Sequence, residues 1–138
     1  MRAVLGPFLI CSVAVLAGCE SGENSPLGVE SPAEWVAIDP IQCHGNPWEA
    51  DWIAQHPGEP YPDDPGKEPF NDKVRDIVEA YYAQKGIEIL DAQGVIWPPG
   101  GLCDACSCPA GWTLYLLVSV DDVPAMLALG FRSEAPAR

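Results

Sequence analysis

Three cysteines crowd into six positions, Cys103-x-x-Cys106-x-Cys108, and a fourth, Cys43, stands 60 residues upstream. This grouping restricts the fold more than any hydrophobic pattern in the chain. An even set of cysteines in a domain of roughly 100 residues reads first as a disulfide framework. Four cysteines allow three connectivities, and a Cys106 to Cys108 link across one residue strains the preferred bridge geometry. The spacing favours Cys43 bonded to one member of the cluster, with a short local bridge closing the other two. A link across that distance removes roughly 4 kcal/mol of unfolded-state entropy in the loop-closure model. The competing reading is a metal site in which Cys43, His44, Cys103, Cys106 and Cys108 offer soft ligands to zinc or copper. Zinc ligands usually come in two spaced pairs, which this pattern lacks. Thioredoxin-like use of Cys103-Asp104-Ala105-Cys106 needs a helix start after a strand, whereas Cys108-Pro109-Ala110-Gly111 continues a loop. Cellular compartment decides between bridges and metal, because disulfides persist outside the reducing cytoplasm.

The N-terminus speaks to compartment. Arg2 places a positive charge at the start, Ala3 to Leu16 run without a charge, and small residues lead into a cysteine at Leu16-Ala17-Gly18-Cys19. Charged start, apolar core and small-residue cleavage site form the pattern of a secretory signal peptide. The stretch is shorter than the roughly 20 apolar residues that cross a bilayer. Its last four residues resemble the lipobox of bacterial lipoproteins. The resemblance covers residues 1–19 and implies cleavage after residue 18, lipidation of the Cys19 sulfur and acylation of the new amino terminus. Several acyl chains hold a protein firmly where one does not, so the lipid bilayer becomes a partner through acylated Cys19. Glu20, in place of the Asp that favours inner-membrane retention in enteric bacteria, leans toward the outer membrane. Residues 19–34 are polar and rich in Gly, Ser and Pro, the composition of a flexible tether. A single domain is expected over residues 35–138.

Charge excludes one class of partner. All 20 acidic residues follow position 19, against six of the seven basic ones. A surface this acidic repels phosphate backbones, so nucleic acid is not expected as a partner. The acidity reads as a solubilising surface before it reads as a site.

Along the domain, Trp35 to Ile38 suggests a first strand. Asn46-Pro47-Trp48-Glu49 opens a short helix with a near capping box, on which Trp48, Trp52 and Ile53 share a face. Pro, Gly and acids fill the chain from Pro57 to Pro69. The clearest helix starts at the cap Asn71 and stops at Gly86, with Val74, Ile77, Val78, Tyr81 and Tyr82 as its apolar stripe. A strand is expected over Ile87 to Asp91, resuming at Val95 to Trp97 after a bulge or turn. Thr113 to Val120 is apolar on both faces and should be central. Asp121 or Asp122 then caps a last helix, with Met126, Leu127 and Leu129 inward and Gly130 ending it. The order fits an α+β fold, a small and mainly antiparallel sheet with helices on one face, stapled by disulfides.

Catalytic patterns are sparse. Neither a Gly-x-Ser-x-Gly elbow, nor a phosphate loop, nor a zinc-protease sequence occurs. His56 precedes Pro57-Gly58 in a loop and reads as solvated. Asp63-Asp64 and Asp121-Asp122 lack calcium-loop spacing. Trp48, Trp52 and Trp112 read as core. The expectation is a membrane-anchored lipoprotein acting as a non-catalytic binding or structural module of the cell envelope, toward an unidentified protein or ligand and without a cofactor. The alternative is a metal-binding lipoprotein using the cysteine cluster. A solvent-open pocket holding His44 and acids would favour an enzyme.

Overall fold

The computed structural model describes residues 32–64, 67–100 and 103–137. The signal segment 1–18, the acylation site Cys19 and the tether as far as residue 31 lie outside them. Seven elements follow in order: β1 (Ala33–Ile38), α1 (Pro47–Gln55), α2 (Asp72–Ala83), β2 (Asp91–Ile96), β3 (Trp112–Ser119), α3 (Val123–Ala128) and β4 (Arg132–Ser133). The strands form one antiparallel sheet in the order β2-β3-β1-β4, so the fold is α+β.

β3 is central, as its uninterrupted apolar run requires. Leu116 stands between Val36 of β1 and Ala92 of β2, and Trp112, Leu114 and Val118 share its face. That face meets Trp48 of α1, Val74, Val78 and Tyr82 of α2, and Val123 and Met126 of α3. Each large apolar side chain removed from water here contributes about 1.5–3 kcal/mol. On the opposite face, Thr113 and Tyr115 are buried beneath a hydrogen-bonded chain of side chains. Trp97 Nε1 donates to Thr113 Oγ1 at 2.8 Å, and the Thr113 hydroxyl donates to Asp39 at 2.7 Å. Arg132 reaches both Asp39 and Glu134, and the Tyr115 hydroxyl donates to Glu134 at 3.2 Å. The Arg132 guanidinium, hydrogen-bonded to Glu134, holds that carboxyl below its ordinary value.

Helices α2 and α3 end in the same device. Gly86 and Gly130 take left-handed backbone at φ 77° and 96°. Ile87 N–H then reaches back to Tyr82 O and Phe131 N–H to Met126 O, at 3.1 and 3.2 Å. These are Schellman motifs, each with an apolar residue packing after the glycine. This explains one departure from the sequence reading. Ile87 was expected in a strand, but it closes α2 and is buried in the core, while β2 runs unbroken from Asp91 to Ile96. The expected bulge at Asp91 to Gly94 is absent from that strand. Gly94 serves close approach instead, since a Cβ there would stand 3.1 Å from Phe70 Cγ.

Three further expectations fail at the helices. Leu127 and Leu129 are 44% and 45% exposed rather than inward. α3 has only six residues, and its single inward face is taken by Val123 and Met126, with Phe131 filling the space beyond. Asp122 precedes α3 without a side-chain capping bond. Ile53 is also exposed, because the residues α1 buries are Trp48 and Glu49.

Candidate functional site: a pocket at the stapled end of the sheet

β1 and β2 end, and β3 begins, at the same edge of the molecule, where the cysteine loop arrives. Cys43 is bonded to Cys106 and Cys103 to Cys108, with Cα separations of 5.1 and 5.9 Å. The long bridge is reinforced by backbone bonds: Gln42 N–H donates to Cys108 O at 2.9 Å, and Ala110 N–H to Pro40 O at 2.7 Å. The Gln42 side-chain amide donates to Cys103 O and Pro109 O. The segment after β1 and the loop before β3 are therefore one body.

Local chemistry shapes the turn that carries His44. Asn46 clasps Ile41 twice, accepting from its N–H at 3.0 Å and donating to its carbonyl at 3.2 Å. This closes a six-residue loop. Gly45 sits where any Cβ would meet Ile41 Cδ1 at 2.7 Å. Between the clasp and the bridge, Cys43 and His44 are driven to φ 60° and 53°. Left-handed backbone costs an ordinary residue about 1–2 kcal/mol. It is sustained by the Cys43 bridge on one side and Asn46 on the other. The result holds His44 Nε2 3.4 Å from Asp63 Oδ2, with its ring 5.0 Å from that of Tyr61.

Glu49 stands at the third position of α1 as expected and closes half of the capping box. Its carboxylate accepts from the Asn46 backbone N–H at 3.0 Å and the Asn46 amide at 2.7 Å. Only 6% of Glu49 is exposed. Burial pushes its carboxyl above the ordinary value against the opposing pull of the Asn46 bonds and His44, and Asp63 adds to the rise. Behind it, the Tyr61 hydroxyl and Trp48 Nε1 are buried without a hydrogen-bond partner among the described residues. Desolvation, with the Glu49 and Asp63 carboxylates nearby, pushes the Tyr61 hydroxyl upward.

His44, Glu49 and Asp63 line a pocket of about 880 Å³. Ile41, Ile96, Trp97, Pro98, Pro99 and Trp112 give it apolar walls. Gln42, His44, Glu49, Asp63 and Asp104 bring the polar groups, and no Lys or Arg lines it among the described residues. Its volume and its mix of apolar wall with a few polar groups are those of small-molecule sites.

The residues proposed as metal ligands come together, but four of the five are sulfurs paired with one another. Among the described residues, no three His, Cys, Asp or Glu side chains are grouped to hold a metal ion. His56 lies outside this pocket, half-buried and stacked on Trp52 at 4.2 Å. Of the tryptophans read as core, Trp48 and Trp112 are buried and Trp52 only partly so. Glu49 was legible only as a cap, and Asp63 only as a poor calcium ligand. Trp97 and Asp104 carried no functional signal of their own. Their common sign was adjacency in sequence to Asn46, the Pro-rich turn or the cysteines. Set against family models, curated proteins and solved structures, the chain matches none.

Proposed function

We propose that this chain is a lipid-anchored binding module of the bacterial cell envelope that presents the pocket at its stapled end to a small ligand. The carrying observation is the pocket itself, an 880 Å³ space with indole and proline walls, a few polar groups and a covalently fixed rim. A rigid rim lowers the ordering cost of binding. The anchor rests on the lipobox resemblance at Leu16-Ala17-Gly18-Cys19. Attachment is assigned to acylated Cys19 on that resemblance. Among the described residues no helix is long and apolar enough to cross a membrane. A fragment screen by NMR on the purified chain tests the pocket. Bound fragments are expected to shift the indole signals of Trp97 and Trp112 together, and Trp97→Ala should weaken them. A screen whose hits leave both indoles unmoved would overturn the pocket as the ligand site.

A second reading is acid–base chemistry in the same place. It is favoured by His44 and Asp63 at 3.4 Å beside a carboxyl, Glu49, whose proton is held more tightly than usual. Neither an activated nucleophile nor a phosphate-binding loop accompanies them in the sequence, so binding is the reading adopted. Turnover of a chromogenic ester or glycoside that disappears in His44→Ala would reverse that order.

A further inference from the structure

The pocket's polar groups are not balanced. Glu49, Asp63 and Asp104 bring carboxylates, and the described lining contains neither Lys nor Arg. Side-chain donors that could offset them are spent inside the protein. Trp97 Nε1 is committed to Thr113, and the Gln42 amide to the carbonyls of Cys103 and Pro109. Gln42 therefore has only its carbonyl left to offer, and Trp97 offers carbon surface. His44 Nε2 already faces Asp63. The cavity thus has acceptors to spare and few free side-chain donors, with two indoles in its wall.

We propose that this pocket takes a small organic cation carried on an apolar body, such as a protonated or quaternary amine. The inference rests on the reading of the pocket as a ligand site and names the chemistry it selects. The charge sits among Asp63, Asp104 and Glu49, and the apolar body lies against Trp97 and Trp112. Indole faces attract weakly hydrated cations through the ring quadrupole. A bare divalent ion is a poor occupant, because it needs several oxygens converging at about 2.0–2.6 Å. No such group of three ligands exists among the described residues. A cation with spread charge and apolar surface needs no such convergence. An anion would meet three carboxylates, and a neutral apolar molecule would gain nothing from their charge. The acidity of the rest of the chain raises the local concentration of cations further.

Three water-soluble probes of similar shape test this on the purified full chain: phenylethylammonium, 2-phenylethanol and 3-phenylpropionate. Affinities are read from the indole NMR signals of Trp97 and Trp112. The ammonium is expected to bind about tenfold or more tighter than the alcohol, with the carboxylate weakest. Its advantage should shrink as salt is raised. Asp63→Asn combined with Asp104→Asn should reduce ammonium affinity severalfold and leave the alcohol unchanged. Asp104→Asn alone, at an exposed loop position, provides the same reading if the double variant fails to fold. Equal binding of ammonium and alcohol, or preference for the carboxylate, overturns the ligand class and leaves the pocket standing. Unchanged ammonium affinity in the folded variants overturns the assignment of its charge to these carboxylates. Failure of all three probes to bind at about 10 mM, the weak end of fragment affinity, overturns this inference and the pocket reading together.

Discussion

Cys43 and Cys106 lie with their Cα atoms 5.1 Å apart across 63 residues of chain. That bridge joins the segment leaving β1 to the loop entering β3, and the left-handed turn carrying His44 begins at its first sulfur. Covalent closure of a long loop is therefore also the means by which an imidazole is aimed.

The two bridges should differ in worth. Cys103 and Cys108 enclose only a short loop, with a separation of 5 residues. Replacing Cys43 and Cys106 together by Ser should lower stability by roughly 4 kcal/mol, and replacing Cys103 and Cys108 by roughly 2 kcal/mol. Urea midpoints of the two double variants check the ranking. A larger loss from the short bridge would contradict the loop-closure account.

Gly94→Ala should destabilise the fold by about 1–3 kcal/mol, as overpacking does. The added methyl would be forced on Phe70 in a strand whose backbone needs no left-handed angle there. Combining it with Phe70→Leu should recover part of the loss. An unchanged melting temperature in Gly94→Ala would show that Phe70 does not cover this strand.

Glu49 predicts a pH dependence with a definite sign. Its folded carboxyl sits above the ordinary value, chiefly through burial. The folded state thus binds this proton more tightly than the unfolded chain. The stabilisation is fully present below the unfolded value, about pH 4.5, and is lost as pH rises through the folded one. Glu49→Gln does not titrate. Wild-type stability minus that of the variant should therefore decline on raising pH from about 4 to 7. A difference that climbs over this window would mean that hydrogen bonds from Asn46, not burial, dominate.

The stripe on α2 gives a comparison within one interface. Leu116 is fully buried, whereas Ile77 is only partly so. Leu116→Ala should cost about 2–5 kcal/mol, and Ile77→Ala clearly less. Equal losses would place Ile77 in the centre of the core.

Periodic segments were the legible part of this fold. The stripe from Val74 to Tyr82, the cap at Asn71 and the doubly apolar run of β3 specify their elements from local chemistry alone. Ile87 misled because a residue closing a Schellman motif and a residue starting a strand look alike in sequence. Leu127 and Leu129 misled because a six-residue helix has room for one inward face. At the pocket, His44 and the cysteines stood out by residue type. Asp63 could not be placed, since it sits in a Pro- and acid-rich loop whose path no period describes. Trp97 was invisible as a site residue because its orientation depends on Thr113 and Asp39, far apart in sequence and brought together by the fold.

The central claim, an anchored and oxidised binding module, is tested most directly by intact mass. Protein extracted from membranes of an expressing bacterium would be alkylated without reductant and weighed, then fragmented to its N-terminal peptide. The account predicts a chain beginning at Cys19, heavier by its acyl groups, with Cys43, Cys103, Cys106 and Cys108 all unalkylated. An unacylated chain that keeps residues 1–18 and carries four alkylated cysteines would contradict both the anchor and the staple.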